Sequence, residues 1–529
     1  MLGEDVHARE LFELFFFFFF FFFFRVLVVG RRLHAHGLRH LHLQHVVLHQ
    51  RGQVRMHVLR WALPVGAAAD VEASPRRVRA PLPPGPSGSL WNTLRYLRDP
   101  YEFFATEARV HGDPFTLRTM AGPLVVTGDP DLARAIFSAD PASIEPFSVG
   151  TLGPFLGERS LIMTGGERHK RDRKLLTPPF HGARMRAYGR VIVEATRAQT
   201  RGWHPGKTGP VQSTTAAISL DVIVRAVFGI EEPAARDRWS DAIRKDVGAA
   251  SPAIIFVGAL RREFFGFGPW ARFRRARARL SALILEEIAS RRARGATGED
   301  ILSLMMAARY DDGASMSDAE LHDQLLTLLA AGHETTATAL AWALYWIHRD
   351  PRLLRDLRDE MQGLGPDPGP DAVAALELLD ATCAETLRLH PIVPDVARRL
   401  KAPLELGRWT IPAGAGVAVV TALLHGDPKL YPDPAAFDPR RFVGAKPSPF
   451  AYTPFGGGSR RCLGAAFALY EMKLVLATLL DEWDLELLDR DVEPGRQNVT
   501  IGPKGGVRMR VLRARRAERS VSAGAQARD

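Results

Sequence analysis

One loop, residues 455–464, most restricts what this chain can fold into, because it delivers a cysteine to the start of an apolar helical pattern. Cys462 is preceded by Phe455, Gly458 and Arg460 and is followed by Gly464. With each residue type at its background frequency, this spacing arises about once per hundred thousand cysteines. Glycines let backbone amides approach the sulfur, and the amides and the helix N-terminus stabilise a thiolate. A buried, inert cysteine leaves these companions unexplained, so the loop favours a thiolate of the kind that iron requires.

The chain contains two cysteines, Cys383 and Cys462, in separate sequence contexts. So few cysteines argue against a disulfide framework and favour a reducing compartment, and we therefore expect a cytoplasmic protein. With 529 residues, of which 46% are hydrophobic, the chain can bury a large core. Length alone favours two or more domains.

The formal net charge of +11 raises the question of nucleic-acid binding. Most of that charge lies at the ends: residues 1–80 carry a net +5 and residues 513–529 a net +3, which leaves +3 for the middle. No zinc-finger spacing or basic–aromatic pattern accompanies it. We therefore expect no nucleic-acid partner.

Residues 1–80 differ in composition from the rest, with phenylalanine at every position from 15 to 24 and a histidine-rich stretch after them. The apolar run from Leu14 ends at Arg25 after 11 residues, whereas a membrane-spanning helix needs about 20. Acidic residues occupy the start, where a signal peptide carries basic ones. Histidines without a folded scaffold are weak evidence for a metal site. We expect a low-complexity extension with no fold of its own and no stable membrane insertion. A misplaced translation start is one explanation of it, and a natural segment or an anchor is the alternative.

The composition changes at Pro81, where residues 83–86 (Pro-Pro-Gly-Pro) form a stiff break and ordinary globular sequence follows. We place the start of a domain here. Long amphipathic patterns predict helices and short apolar runs predict strands, so the class is mainly α with minor β. The helical patterns are residues 183–201, 271–292 and 371–390, and the strand-like runs are residues 124–126 and 417–420.

A long helix is predicted between a capping box at Ser317 and Glu320 and the helix breaker Pro351. Its centre is apolar except for two threonines and the run His-Glu-Thr-Thr at residues 333–336. An acid at mid-membrane is costly, so we expect a buried core helix and not a membrane span. Polar groups beside Gly332 indicate function, although a threonine hydroxyl bonded back to the helix is an equal alternative.

The cysteine loop resembles the haem-binding loop of the cytochrome P450 family, in which a cysteine thiolate holds the haem iron. By that resemblance Cys462 is the axial iron ligand, Phe455 shields the sulfur and Arg460 pairs with a haem propionate. Gly458 and Gly464 belong to the same cofactor-binding loop.

Residues 331–336 match the oxygen-binding segment of the family. The resemblance implies that Gly332 leaves room for dioxygen over the iron and that Glu334 relays protons. Thr335 would order a water molecule or donate a hydrogen bond to the distal oxygen. These three residues are the catalytic candidates.

Glu385 and Arg388, three residues apart on one helix, form on spacing alone an ordinary exposed pair. The resemblance implies instead that they meet Arg441 in a buried network that holds the loop behind the haem. Arg440 departs from the family pattern, which usually has an acidic residue at that position.

His169 and Arg173 lie four residues apart on one helical face, with a solvated basic face as the alternative to a binding role. The resemblance implies that both bind haem propionates. Arg398 or Arg399, which precede the strand-like residues 403–406, would supply another propionate contact, and we choose Arg398.

The motifs cover residues 81–512 and imply a single cytochrome P450 domain, which replaces the expectation of several domains, followed by a polar tail at residues 513–529. Haem b would lie between the long central helix and the cysteine loop. The implied activity is insertion of one oxygen atom of O₂ into a lipophilic small molecule by a monomeric enzyme. Electrons would come from a separate ferredoxin or flavodoxin and its reductase.

Two surface features have less certain meaning. Lys170, Arg171 and Lys174 would form a docking patch for an acidic ferredoxin, with a solvated face as the alternative. Residues 252–270 lie where the family has its access lid, and core packing explains their aromatic content equally well. The aromatic residues there are Phe256, Phe264, Phe265, Phe267 and Trp270.

Two other functions compete with the monooxygenase on the sequence alone. A peroxide-driven or isomerising relative needs no electron supply, but such enzymes typically lack the acid–alcohol pair that Glu334 and Thr335 form. A non-catalytic haem carrier would keep the fold and lose the chemistry, and the intact motifs argue against it.

Overall fold

The computed structural model of the chain describes residues 81–515, apart from residues 120, 148, 264, 296–297 and 366–367. The predictions made for residues 1–80, for Phe264 and for residues 516–529 of the polar tail lie outside the described residues. All the catalytic and cofactor-binding candidates lie within them.

Helices dominate the described chain, as the amphipathic patterns predict. Several begin with a side-chain cap and a proline in the first turn, which satisfy or remove the free amides there. The helices are α1 (Ser89–Arg98), α2 (Pro100–His111), α3 (Pro130–Phe137), α4 (Val149–Leu156), α5 (Gly166–Leu176), α6 (Ala183–Thr200), α7 (Val211–Phe228), α8 (Pro233–Ala249), α9 (Pro252–Phe256), α10 (Pro269–Arg294), α11 (Ile301–Ala307), α12 (Asp318–Arg349), α13 (Pro351–Gln362), α14 (Pro370–Ala374), α15 (Glu377–Leu389), α16 (Thr421–His425) and α17 (Ala465–Glu482).

The strands are short and supply the minor β content that the sequence predicts. They are β1 (Phe115–Thr119), β2 (Gly122–Thr127), β3 (Ile144–Pro146), β4 (Thr208–Pro210), β5 (Asp395–Leu400), β6 (Leu404–Leu406), β7 (Trp409–Ile411), β8 (Gly416–Val420), β9 (Trp483–Leu487), β10 (Pro494–Gln497), β11 (Thr500–Pro503) and β12 (Arg508–Ala514). The largest described sheet has the order β1-β2-β8-β5-β3, with β2 and β8 parallel and the other neighbours antiparallel. Smaller sheets have the orders β4-β12-β9, β10-β11 and β6-β7.

The long helix α12 runs through the main apolar core. Its first turn carries the predicted capping box: the Ser317 side chain accepts from the amide of Glu320, and the Glu320 carboxylate accepts from the amide of Ser317 at 2.9 Å. Side chains of α12 pack with those of α6, α7, α15 and α17 in the largest apolar cluster. The expectation of a buried core helix is therefore confirmed.

By length and composition, one described helix, α7, resembles a membrane span. Of that helix, 72% is buried within the protein. A helix that is apolar on every side has this character when it crosses a large core.

The other element predictions hold in part. The helices expected at residues 183–201 and 271–292 form as α6 and α10, and the runs at 124–126 and 417–420 lie in β2 and β8. The helix expected at residues 371–390 is wrong in extent, because the chain forms α14 and α15 with a break at Ala375 and Leu376. Leu376 is buried in an extended conformation, so the apolar period continues across the break and does not reveal it.

Candidate functional site

The loop before α17 folds tightly around the cysteine. The backbone N–H of Cys462 donates to the carbonyl of Phe455 at 2.9 Å. Gly458 has a φ of +65°, and a Cβ there would lie 2.0 Å from the carbonyl oxygen of Phe137 in α3, so only glycine fits. A Cβ at Gly464 would contact nothing, so packing does not require a glycine at that position.

Cys462 is accessible to solvent although protein surrounds it, so its side chain borders an interior cleft. Burial raises the pKa of its thiol, whereas an N–H of Gly464 and the charges of Arg461 and Arg173 lower that pKa. The net direction is upward, so the protein alone favours the thiol. The expectation that the loop holds a thiolate for a bound iron stays a prediction.

The middle of α12 borders open space. Ala331 is exposed, and Gly332, Glu334 and Thr335 are partly exposed, although residues 336–345 are all buried. This turn of α12 is therefore accessible although it lies in the middle of a helix whose next ten residues are buried. Its role as an oxygen-binding segment stays a prediction.

The absence of a side chain at Gly332 has a packing explanation. A Cβ on that residue would lie 2.6 Å from Cδ1 of Ile223 in α7. The geometry accounts for the glycine through close packing of α7 on α12. It gives no support to the interpretation that Gly332 leaves room for dioxygen, and a role for this residue in oxygen binding stays a prediction.

The threonines beside Glu334 bond back to their own helix. Thr335 Oγ1 donates to the carbonyl of Ala331 at 2.7 Å, and Thr336 Oγ1 donates to that of Gly332 at 3.2 Å. This is the alternative that the sequence left open. A threonine hydroxyl can rotate out of such a bond, so the hydrogen bond from Thr335 to distal oxygen stays a prediction.

The carboxyl group of Glu334 contacts a hairpin that the sequence motifs do not include. Thr500 Oγ1 lies 3.2 Å from Glu334 Oε1, and Asn498 Nδ2 lies 3.4 Å from Oε2. Burial raises the pKa of Glu334, and the hydrogen bonds from Asn498 and Thr500 lower it. The contacts join residues 164 and 166 positions apart, and no local pattern predicts them.

Four basic side chains converge near the cysteine loop: His169 and Arg173 from α5, Arg398 from β5, and Arg460 from the loop itself. Burial, then the charges of Arg460, Arg173 and Arg398, lower the pKa of His169 to about 4. Burial and a neighbouring guanidinium lower the pKa of Arg398 to about 9 and that of Arg460 to about 10. The site therefore gathers positive charge in a partly dry environment.

In the part of the chain that the structure describes, no carboxylate pairs with any of these four side chains, and Nη2 of Arg398 is buried without a partner. Buried positive charge without compensation is costly, so this basic cluster calls for an anionic ligand. The charge of Arg173 lowers the pKa of the Cys462 thiol, which puts that thiol beside the cluster. A thiol ligand next to carboxylate-binding cations fits haem, whose propionates supply the missing negative charge.

The structure distinguishes the two arginines that the sequence offered as alternatives. Arg398 is 6% exposed and acts electrostatically on His169. Arg399 points to the other face of β5, where it donates to the carbonyl of Gly414 at 3.0 Å and lies 3.8 Å from Glu145. The choice of Arg398 agrees with this geometry.

The predicted buried network around Glu385 is confirmed. Its carboxylate accepts from Arg388 at 2.6 and 2.8 Å and from Nε of Arg441 at 3.0 Å. Arg388 also donates to three backbone carbonyls between residues 425 and 436. Arg440, the departure from the family pattern, pairs at the surface with an aspartate of α13.

The suggested docking patch on α5 is largely paired. Lys174 Nζ lies 2.6 Å from Asp311, and the guanidinium of Arg171 stacks over the ring of Tyr310 at 4.0 Å. Lys170 lies 3.9 Å from a glutamate one turn earlier. These contacts leave less free positive charge than the sequence suggests.

The aromatic residues of the suggested lid fall into two groups. Phe265 is 101% exposed and Phe267 is 75% exposed. Trp270 packs against Phe155 and Phe273 with ring centroids 5.9 and 5.3 Å apart. Core packing explains Trp270 and does not explain the two exposed phenylalanines.

Comparison with known proteins agrees with this geometry. A family model for cytochrome P450 matches residues 81–507. Cytochrome P450 138 of Mycobacterium tuberculosis is 36% identical over 461 residues, which cover 84% of this chain and 99% of the relative. Cytochrome P450 135B1 of the same organism is 38% identical over 460 residues, which cover 84% and 94%.

Two solved structures show the same fold. A cyanobacterial protein with bound retinoic acid, CYP120A1, superposes with a TM-score of 0.72 at 27% identity and covers 82% of this chain and 99% of its own. The haem domain of cytochrome P450DA superposes with a TM-score of 0.71 at 26% identity and covers 82% and 97%. The predicted fold is confirmed.

Proposed function

The chain belongs to the cytochrome P450 family, and from this premise we propose that it inserts one oxygen atom of O₂ into a lipophilic small molecule. Enzymes of the family are haem monooxygenases, and haem b is the cofactor. When bound, the haem supplies the activation of O₂ that no side chain provides. The residues of the chain hold the cofactor, exclude water and handle protons.

The observation that carries the proposal is the basic cluster beside the thiol of Cys462, for which the described residues supply no carboxylate. In the proposed arrangement Cys462 would hold the haem iron through its sulfur, and bound iron would stabilise the thiolate form of that residue. Arg398 and Arg460 bind the propionates through charge-assisted hydrogen bonds, and Arg173 adds to the positive field. His169 would bind them through a ring N–H.

Two further groups complete the proposed site. Phe455, which packs against the main apolar core, shields the sulfur from water. Glu334 would relay protons from its place on α12, where burial raises the pKa of its carboxyl group. The hydroxyl of Thr335, which donates to the carbonyl of Ala331, would rotate to donate a hydrogen bond to bound dioxygen.

We propose that residues 81–512 form the active domain of a monomeric cytoplasmic enzyme. The half-exposed Phe256 and the exposed Phe265 and Phe267 suit a lipophilic substrate. The similar cyanobacterial structure holds retinoic acid, which is itself lipophilic.

A separate ferredoxin or flavodoxin and its reductase supply the electrons. Because Lys174 and Arg171 are paired with their neighbours, we propose that the docking patch for this redox partner lies outside α5.

The test is the difference spectrum of the reduced protein with carbon monoxide, which reads thiolate ligation of the iron directly. The wild type and a Cys383→Ser control should give the thiolate signature, because Cys383 is fully buried and burial raises its pKa to about 12. Cys462→Ser should lose the signature. A haem-loaded wild type without it, or its persistence in Cys462→Ser, refutes the proposed ligand.

The proposed substrate class is tested by a screen for changes in spin state. Lipophilic compounds that displace water from the iron shift the absorption spectrum, and polar compounds of similar size serve as controls. Turnover of a hit with NAD(P)H and surrogate redox partners supports the monooxygenase. If compounds shift the spectrum but are repeatedly not turned over, a haem carrier is favoured.

A further inference from the structure

The side chain of Glu334 leaves α12 toward the tight turn between β10 and β11. Thr500 Oγ1 lies 3.2 Å from Glu334 Oε1, and Asn498 Nδ2 lies 3.5 and 3.4 Å from the two carboxyl oxygens. Neither residue belongs to the motifs that assign the proposed function. A hairpin near the end of the domain therefore supplies the polar partners of an acid at the centre of the fold.

The turn that carries these partners is fixed on several sides. Gln497 and Thr500 pair across the hairpin, and the amide of Ile501 donates to a carbonyl between α15 and β5 at 2.9 Å. The side-chain amides of Gln212 in α7 and Gln497 lie 2.6 Å apart. Asn498 has a φ of +53°, a conformation that asparagine adopts more readily than most residues. The partners of Glu334 are thus held in place by backbone and side-chain contacts.

The hydrogen bonds around the hairpin also reach the backbone of α12. Gln212 Nε2 donates to Thr338 Oγ1 at 3.3 Å, and Thr338 donates to the backbone carbonyl of Glu334 at 2.7 Å. The hairpin, α7 and α12 are therefore joined through both the side chain and the backbone of Glu334. Such a network fixes the direction of a carboxyl group more firmly than one contact does.

The hydroxyl of Thr500 has one proton and two acceptors, the carbonyl of Gln497 at 2.7 Å and the carboxyl of Glu334 at 3.2 Å. When Glu334 is neutral, Thr500 donates to Gln497 and accepts the carboxyl proton. When Glu334 is ionised, the hydroxyl turns and donates to the carboxylate. Thr500 therefore serves both protonation states, whereas the Asn498 amide group favours the ionised one.

We propose that Asn498 and Thr500 are positioning residues that hold the carboxyl of Glu334 in place beside the hairpin and stabilise its ionised form. The proposal rests on the proposed function, in which Glu334 handles the protons of oxygen activation. It assigns to the hairpin a part in proton delivery, distinct from the back-bonded Thr335.

No charged side chain of the described residues figures among the influences on the pKa of Glu334: burial raises it, and the hydrogen bonds from Asn498 and Thr500 lower it. On the hairpin, Arg496 turns to backbone carbonyls at the end of α1. On α12, the neighbouring His333 contacts a carbonyl of its own helix at 2.9 Å, and α7 offers the neutral Gln212. Loss of either donor should therefore raise the pKa of Glu334 further.

The experiment titrates the carboxyl of Glu334 in the haem-loaded full chain by infrared difference spectroscopy, with Glu334→Gln identifying its band. Thr500→Val removes the hydroxyl at constant shape, and Asn498→Gly removes the amide group while glycine keeps the positive φ. Both variants should titrate at higher pH than the wild type. The matched control is Val499→Ala in the same turn, which should not shift the titration.

Thr500→Ser restores the hydroxyl and should return the titration to the wild-type value, which a merely structural role of the threonine methyl group does not predict. The carbon monoxide spectrum, recorded on the same samples, reports the proposed function separately. An intact thiolate spectrum with unchanged titration in Thr500→Val and Asn498→Gly overturns the inference. A wild type without the thiolate spectrum overturns the proposed function instead.

Discussion

The buried guanidinium of Arg398 has opposite effects on the stability of the haem-free protein and on the binding of haem. It is 6% exposed, one of its nitrogens has no partner, and its described neighbours include the guanidinium of Arg460. An unpaired buried charge destabilises the protein without ligand. Two carboxylates bound there would supply charge-assisted hydrogen bonds. The same residue therefore opposes the stability of the empty fold and favours retention of the cofactor.

Arg398→Met should weaken haem retention while leaving the haem-free protein at least as stable as the wild type. A hydrogen bond to a charged group contributes about 1.5–3 kcal/mol, so the haem dissociation constant should rise about tenfold to a hundredfold. Transfer of haem to a competing apoprotein measures this change. Arg399→Met, on the other face of β5, is the matched control and should retain haem normally. Equal retention in both variants would contradict the assignment.

Thr335→Ala should change stability little, because its hydroxyl at rest satisfies a carbonyl of its own helix. During turnover the variant should release hydrogen peroxide and waste NAD(P)H, since the hydrogen bond to oxygen is lost. The ratio of peroxide to NAD(P)H consumed is the measurement. Thr336→Val, which changes a buried neighbour, should remain coupled. Fully coupled turnover in Thr335→Ala would refute the role of its hydroxyl.

At the scale of elements, His425 links two segments that position the cysteine loop. The backbone N–H of Thr453 donates to its Nε2 at 2.9 Å, so the Nδ1–H donates to the carbonyl of Arg388 at 3.0 Å. The imidazole thus connects the end of α15 to the segment that leads into the cysteine loop. Both bonds together require the neutral ring, and burial lowers the pKa of His425 to about 3.

His425→Gln should make stability less dependent on pH. In the unfolded chain histidine titrates near 6.5, so from about pH 6.5 down to about pH 3 the unfolded state binds one more proton than the folded state. The contribution is full above that window and is lost as pH falls through it, by about 1.4 kcal/mol per pH unit. Urea midpoints at several pH values test this. An unchanged slope in His425→Gln would be contrary evidence.

What the sequence predicts at this scale follows from the range of the interactions involved. The capping box at Ser317 and the helix that carries His169 and Arg173 depend on neighbours within four residues, so pattern alone predicts them. The contact of Thr500 with Glu334 depends on how a hairpin packs 166 residues away, and no local pattern encodes it. For the thiol of Cys462, the amide of Gly464 in its own loop lowers the pKa, whereas the burial that raises the pKa depends on how the whole fold packs.

At the scale of the whole molecule, the start of the described chain is fastened to the edge of the largest sheet. The N–H of Thr116 in β1 donates to the carbonyl of Pro84 at 2.9 Å, and its hydroxyl donates to that of Pro83 at 2.7 Å. Pro83 is buried, and a Cβ at Gly85 would lie 2.0 Å from the Thr116 carbonyl oxygen. Residues 82–85 therefore belong with the sheet, and the boundary we propose lies before them.

A matched pair of truncations tests that boundary. A chain that starts at residue 79 keeps the fastened segment and should retain the haem spectrum and melting temperature of the full chain. A chain that starts at residue 87 loses two hydrogen bonds, about 1 kcal/mol each, and the burial of Pro83, so its melting temperature should fall by a few degrees. Loss of haem from the longer of the two would show that residues 1–78 support the fold, contrary to their composition. Equal melting temperatures for both would show that the contacts with Thr116 contribute little, since only the shorter chain lacks them.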